Sequence, residues 1–145
     1  GNDRADDGCT NACQPARCGD GVTRTDLASD DRGYEACDDA NANENDACLA
    51  SCQAARCGDG IHRRDLNEGQ LGYEACDDGN RVQIDACLND CTVARCGDEF
   101  VQAGVEACDD GNTAAGDGCD ESCAVECGFA CSEDTNRLST CEASL

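Results

Sequence analysis

The sequence contains no Trp, no Met and no Lys, and it has only one Pro, one His, two Tyr and two Phe. Aromatic residues make up 3% of its 145 positions. A chain so poor in large apolar side chains buries too little surface to offset backbone ordering, which costs roughly 1–2 kcal/mol per residue. An ordinary hydrophobic core is therefore excluded, and covalent or ionic staples must replace it. Positive charge is also scarce. All 10 basic residues are Arg, set against 32 acids, for a formal net charge of -22. Such a chain repels nucleic acid and anionic membranes, whose binding requires cationic neutralisation. It attracts cations instead. No apolar run approaches the ~20 residues that span a bilayer, so membrane insertion is not expected. No apolar signal segment lies near Gly1, and the chain reads as a mature product or an excerpt.

Catalytic machinery is missing as well. There is no Ser/His/Asp set, no paired-His motif and no Gly-rich phosphate loop with Lys, so no enzyme activity is expected. The single His62 has no equivalent elsewhere in the chain.

What the chain has in abundance is cysteine, 17 residues, and these repeat. Cys18, Cys57 and Cys96 are 39 residues apart, as are Cys37 and Cys76, Cys48 and Cys87, and Cys52 and Cys91. Cys9 and Cys13 precede Cys48 and Cys52 by the same 39. A period of this size means a stack of small modules. The chain divides into a half repeat (1–17), two full repeats (18–56 and 57–95) and a third (96–145) with an extended Cys-rich tail. The third repeat keeps its later spacings through Cys108, Cys119 and Cys123. Cys127, Cys131 and Cys141 lie beyond it.

The fold class that follows is small disulfide-rich repeats with little regular secondary structure. Each unit is expected to hold a short β-hairpin, a calcium loop and a short helical turn, with the units in a linear array. Val22-Thr23-Arg24 and Gly33-Tyr34-Glu35 are the hairpin strands of the first unit. Phe100-Val101 and Val105-Glu106 are those of the third. The Asp-x-Cys-x3-Cys stretch is the helical turn, capped by Asp46 or Asp85. Zinc and iron–sulfur sites usually use Cys-x2-Cys knuckles, and none occurs here. All 17 Cys are therefore read as disulfide candidates in an oxidising, extracellular or cell-surface setting. Four Cys allow three pairings, and spacing does not choose among them. The odd total leaves the half repeat and Cys127 as places for an unpaired or inter-chain thiol.

Oxygen ligands gather after the second Cys of each unit. They are Asp38, Asp39, Asn41 and Asp46 in the first, Asp77, Asp78, Asn80 and Asp85 in the second, and Asp109, Asp110, Asn112 and Asp117 in the third. Glu35, Glu74 and Glu106 lie nearby in sequence, and Asp20, Asp59 and Asp98 follow each Cys-Gly. Asn2 and Asp7 are the counterparts in the half repeat. Calcium takes about 6–8 oxygens in a flexible loop, whereas magnesium keeps its waters. Carboxylates forced together also repel unless a cation neutralises them. About one calcium ion per repeat is expected, in a site that is not an EF-hand. Arg17, Arg56 and Arg95, before each first Cys, are read as pairing with a neighbouring carboxylate.

Together, Cys-Gly-Asp-Gly, Glu-Ala-Cys-Asp-Asp-Gly-Asn and Asp-Gly-Cys-x3-Cys resemble the myxococcal-type cysteine-rich repeat of secreted and surface proteins. The same phrase is similar to the calcium-binding Notch-type repeats of pappalysins. The resemblance implies that Asp20, Glu35, Asp38, Asp39, Asn41 and Asp46 are the ligand pool of the first unit. Ala40 departs from the Gly of the other units, and Ala47 and Ala86 depart from Gly118. A structural role is expected: a protomer or segment of a fibre, filament or stalk, associating head to tail or within a longer parent chain. The alternative is an adhesin or ectodomain module whose hairpin tips, 28–32 and 68–71, meet a surface or protein ligand.

Overall fold

The computed structural model describes Arg4, residues 6–134 and residues 138–144. It forms two compact units, Gly1–Glu74 and Ala75–Leu145, with the boundary inside the second repeat. Among the described residues there is no helix, and the only strands are β1 (Phe129–Glu133) and β2 (Ser139–Ala143). They pair antiparallel, with Cys131 opposite Cys141. No helix is long and apolar enough to cross a membrane. The chain is a small disulfide-rich fold with little regular secondary structure.

The pairing that spacing left open is nested. In the first repeat Cys18 bonds Cys52 and Cys37 bonds Cys48. In the third, Cys96 bonds Cys123 and Cys108 bonds Cys119. Cys76 bonds Cys87, and Cys57 and Cys91 are also disulfide-bonded. A further bridge, Cys131 with Cys141, closes the tail. Cysteines make up most of the buried apolar residues. Cys48, Leu49 and Cys52, then Cys87, Leu88 and Cys91, are the buried apolar residues of the first two repeats. In the third, Cys108, Cys119 and Cys123 form a cluster against Cys96, Cys131 and Cys141.

The helical turn expected after each Asp-x does not form. The fourth Cys takes a left-handed backbone (φ 56° at Cys13, 55° at Cys52, 60° at Cys91, 53° at Cys123), which stops a right-handed helix. The chain folds back instead. Leu49 N–H donates to Gln53 O at 3.0 Å, and Cys48 forms an isolated bridge with Ala54. The aspartate still caps, locally: Asp46 and Asp85 accept the N–H of Cys48 (3.1 Å) and Cys87 (3.2 Å).

The expected hairpin strands are likewise not ladders. A Glu closes each excursion, buried at Glu35 and Glu74 and half-buried at Glu106. Glu35 accepts the Arg24 N–H at 2.9 Å, Glu74 that of Arg63 at 2.8 Å, and Glu106 that of Gln102 at 2.7 Å. In each, a carboxylate takes the place of cross-strand pairing. His62 lies beside the same closure, its Nε2 2.8 Å from the Glu74 carbonyl oxygen.

One backbone bond recurs at each joint between successive repeats. Thr25 N–H donates to Asp6 O (2.9 Å), Arg64 N–H to Asn45 O (2.9 Å), and Ala103 N–H to Ile84 O (2.8 Å). The arginine pairs expected at these joints fall elsewhere. Among the described residues the ion pairs are Arg4 with Asp6, Arg24 with Asp26 and Arg63 with Asp65. Arg17, Arg56 and Arg95 contribute backbone N–H groups, to Asp20, Asp59 and Asp98.

Candidate functional site

The acids of each repeat separate into two sets. One set is occupied with backbone N–H groups. Asp38 accepts from Gly19 (2.8 Å), Asp20 (3.2 Å), Gly21 (2.7 Å) and Ala40 (3.0 Å). Asp109, fully buried, accepts from Gly97 (2.7 Å), Asp98 (3.1 Å), Glu99 (3.0 Å) and Gly111 (2.8 Å). Asp77 accepts from Gly79 at 2.8 Å. Burial opposes the charge of Asp38, but the N–H donors of Ala40, Gly21, Gly19 and Asp20 outweigh it and hold its pKa below the ordinary value. Asp38 and Asp109 tie the Cys-Gly-Asp loop of their repeat to its Cys-Asp-Asp loop. Their proximity to Cys52 and Cys123 (3.9 and 3.8 Å from sulfur) makes no metal cluster, because those sulfurs are oxidised.

Asp20, Asp59 and Asp98 belong to the same set. Each accepts one N–H before and one after its turn: Arg17 and Val22, Arg56 and Ile61, Arg95 and Phe100. Glu35, Glu74 and Glu106 close the excursions described above. Burial, with Asp109 and Asp98 nearby, pushes the Glu106 pKa up, although the Gln102 N–H works against it.

The second set faces itself. In the third repeat Asn112 Nδ2 donates to Asp110 Oδ1 (3.1 Å) and to Asp117 Oδ2 (3.2 Å). Two carboxylates thus converge on one neutral amide. Burial and the Asp117 charge raise the Asp110 pKa. In the second repeat the amide reaches one carboxylate, Asn80 Nδ2 lying 3.0 Å from Asp85 Oδ2, while Asp78 Oδ1 accepts the Asn80 backbone N–H at 3.3 Å. The Asn80 amide lowers the Asp85 pKa, helped by the Cys87 N–H and by a hydrogen bond with Asp78. In the first repeat Asn41 Nδ2 and Asn43 Nδ2 reach Asp46 Oδ2 (3.3 and 3.0 Å), and Asp39 accepts the Asn41 N–H. An amide donor carries no net charge and cannot neutralise two carboxylates, whereas a divalent cation can. Of the sequence-derived pool, Asp39, Asn41, Asp46, Asp78, Asn80, Asp85, Asp110, Asn112 and Asp117 therefore form the convergent part. Asp7 accepts the Cys9 N–H at 3.0 Å, as its counterpart Asp46 accepts that of Cys48. Asn2 lies outside the described residues.

Two departures between repeats have geometric causes. Ala40 sits at φ 64°, where Gly79 and Gly111 have φ 71° and 80°, so the first loop carries a left-handed non-glycine. A Cβ on Gly118 would collide with Cys141 Cβ, so this repeat uses Gly where the others have Ala to admit the tail. Sequence reasoning missed the role of that tail. Ser139 Oγ accepts the Asp109 N–H (3.0 Å), and Ser139 N–H donates to Asp109 O (2.6 Å), sealing the buried anion.

Residues 89–124 match a family described as a domain of unknown function, DUF4215. No curated protein matches the chain. The matched segment covers the third repeat through its fourth Cys, together with the preceding Cys91. With the disulfide pairing it marks the chain as a cysteine-rich repeat, and the density of disulfides is that of secreted or extracellular proteins.

Proposed function

We propose that this chain is an extracellular structural repeat protein, stapled by disulfides and stabilised by about one calcium ion per complete repeat. It serves as a protomer or segment of a fibre, filament or stalk built from a linear array of such repeats. The observation that carries the reading is the convergence of Asp110 and Asp117 on the Asn112 amide, with Asp85 on the amide and Asp78 on the backbone N–H of Asn80 in the second repeat. Asp39, Asp46 and Asn41 supply the first site. Backbone carbonyls of the same loops complete the shell, in keeping with calcium's preference for many oxygens in a flexible loop. The resemblance to myxococcal-type repeats and to the Notch-type repeats of pappalysins points the same way. The recurring joint bond supports an array in which each unit contacts its neighbours.

Negative-stain microscopy of the oxidised protein, with calcium and then with EGTA, tests the reading. Filaments that form with calcium and dissolve with chelator support it; monodisperse monomers in both would overturn it. The adhesin reading has one observation of its own, the fully exposed Leu71 (101%) at the tip of the second excursion. Grafting residues 68–71 onto the first repeat and measuring partner capture separates the two.

A further inference from the structure

Each complete repeat sets one carboxylate oxygen against the sulfur of its fourth Cys. Asp38 Oδ2 lies 3.9 Å from Cys52 Sγ, Asp77 Oδ2 3.8 Å from Cys91 Sγ and Asp109 Oδ2 3.8 Å from Cys123 Sγ. All three cysteines are disulfide-bonded. Their sulfurs carry no proton to donate, so the contacts are not hydrogen bonds. An anion stands beside a bond that gains nothing from it while intact. The second–third bridge is flanked differently: Cys76 Sγ meets the uncharged carbonyl oxygen of Thr92 at 3.3 Å.

Thiols cleave a disulfide when a thiolate attacks one sulfur and expels the other as a thiolate. The fourth Cys is buried: Cys52, Cys91 and Cys123 are 1%, 2% and 1% exposed. The first Cys is more open, with Cys18 exposed and Cys57 and Cys96 half-buried. Solvent therefore reaches the bond from the first Cys. Attack on Cys18 expels Cys52 as an anion beside Asp38, and two negative charges so close in a site short of water repel strongly. The opposite attack, on Cys52, brings the reagent's own thiolate to the same carboxylate. It also expels Cys18 against the Ala50 carbonyl oxygen, 3.2 Å from its sulfur. Cys96 faces the Asp120 carbonyl oxygen in the same way, at 3.6 Å. Both routes press new negative charge against oxygen. The backbone N–H donors that hold the Asp38 pKa below its ordinary value keep that carboxylate ionised at neutral pH.

We propose that Asp38, Asp77 and Asp109 guard the disulfide of the fourth Cys in each repeat against reduction by small-molecule thiols. The reaction they slow has two steps. One reagent thiolate attacks the first Cys, forms a mixed disulfide and releases the fourth Cys as a thiolate, which takes a proton from water. A second reagent thiolate attacks the reagent sulfur of that mixed disulfide and releases the first Cys. Two reagent thiols become one disulfide, and one protein disulfide becomes two thiols. The guard acts on the first step. It is a separate role from tying the loops, which the N–H bonds of the same carboxylates perform, and it does not depend on calcium.

The test uses the oxidised full chain with its free thiols alkylated, treated with mercaptoethanol under native conditions, quenched with acid and peptide-mapped for initial rates. Asp38→Asn should speed loss of the Cys18–Cys52 bond about tenfold, and loss of Cys37–Cys48 by less than about twofold. Asp38→Glu keeps the charge but fits the loop less well, and should stay within about threefold of wild type. An unchanged Cys18–Cys52 rate in Asp38→Asn would overturn the proposal. So would equal acceleration of both bridges, or an Asp38→Glu variant as fast as Asp38→Asn, since either marks a loosened module rather than a lost charge. The wild type supplies a second measurement. Cysteamine brings an ammonium that offsets the carboxylate, whereas mercaptoacetate brings a further anion. The ratio of their rates should be larger at Cys18–Cys52 than at Cys37–Cys48, and equal ratios at the two bonds would contradict a charged guard.

Discussion

Residues 6–17 and the third repeat carry the same structural phrase in opposite states. At residues 6–17 the fold-back turn has no Cys-Gly turn bonded to it among the described residues, and its cysteines are exposed thiols. In the third repeat the same turn is enclosed: Cys108, Cys119, Cys123 and Asp109 are at most 1% exposed. The tail completes that enclosure through Ser139, Cys131 and Cys141. The comparison separates what a module needs to take its shape from what it needs to be buried. Local hydrogen bonds and a left-handed Cys suffice for the first. The second requires a second half, a bridge and a buried anion that draws the two loops together.

The largest effect should come from removing the buried bridge of the closed module. The double change Cys108→Ala and Cys119→Ala should cost about 2–5 kcal/mol and lower the melting midpoint. Cys9→Ala and Cys13→Ala together should leave the midpoint nearly unchanged. Asp109→Asn should come next, at about 1.5–3 kcal/mol by chemical denaturation, since an amide presents fewer acceptors to four N–H donors. Gly118→Ala should cost about 1–3 kcal/mol by overpacking against Cys141. Hydrogen exchange should then show lost protection at Ser139 and little change elsewhere.

Acid should distinguish the two sets of carboxylates. The Asp38 pKa is depressed, so its contribution is present above the ordinary carboxylate value of about 3.9 and is lost as pH falls through the depressed one. Asp38→Asn should flatten that acid limb of the melting profile. The Asp110 pKa is raised. Its contribution to the ion-free fold is present below the ordinary value and is lost as pH rises through the raised one. Calcium should erase that loss. The smallest expected effect is a gain: Ala40→Gly relieves a left-handed alanine and should add about 0.5–1 kcal/mol.

Much of this organisation was legible in the sequence, and the illegible parts have physical reasons. The 39-residue period and the disulfide-based core follow from Cys positions and the dearth of aromatics. The pairing did not, because spacing is blind to which loops Asp38 or the buried Asp109 draws together. The helical turn was misread because i,i+4 cysteines suit a helix until the second adopts φ near 55°, as Cys52 does. The excursions looked like hairpins because their arms do run back on themselves, yet Glu35 and Glu74 close them. The loop acids read as one pool because composition does not reveal that Asp38 faces N–H groups while Asp110 faces Asp117.

Calcium titration calorimetry on the oxidised chain, paired with the variant carrying Asp46→Asn, Asp85→Asn and Asp117→Asn, tests the central claim most directly. Cation-bridged loop acids predict about three ions bound by the wild type, a melting midpoint that falls when EGTA removes them, and loss of both effects in the variant. Wild-type protein that bound no calcium and melted identically with and without EGTA would contradict the account.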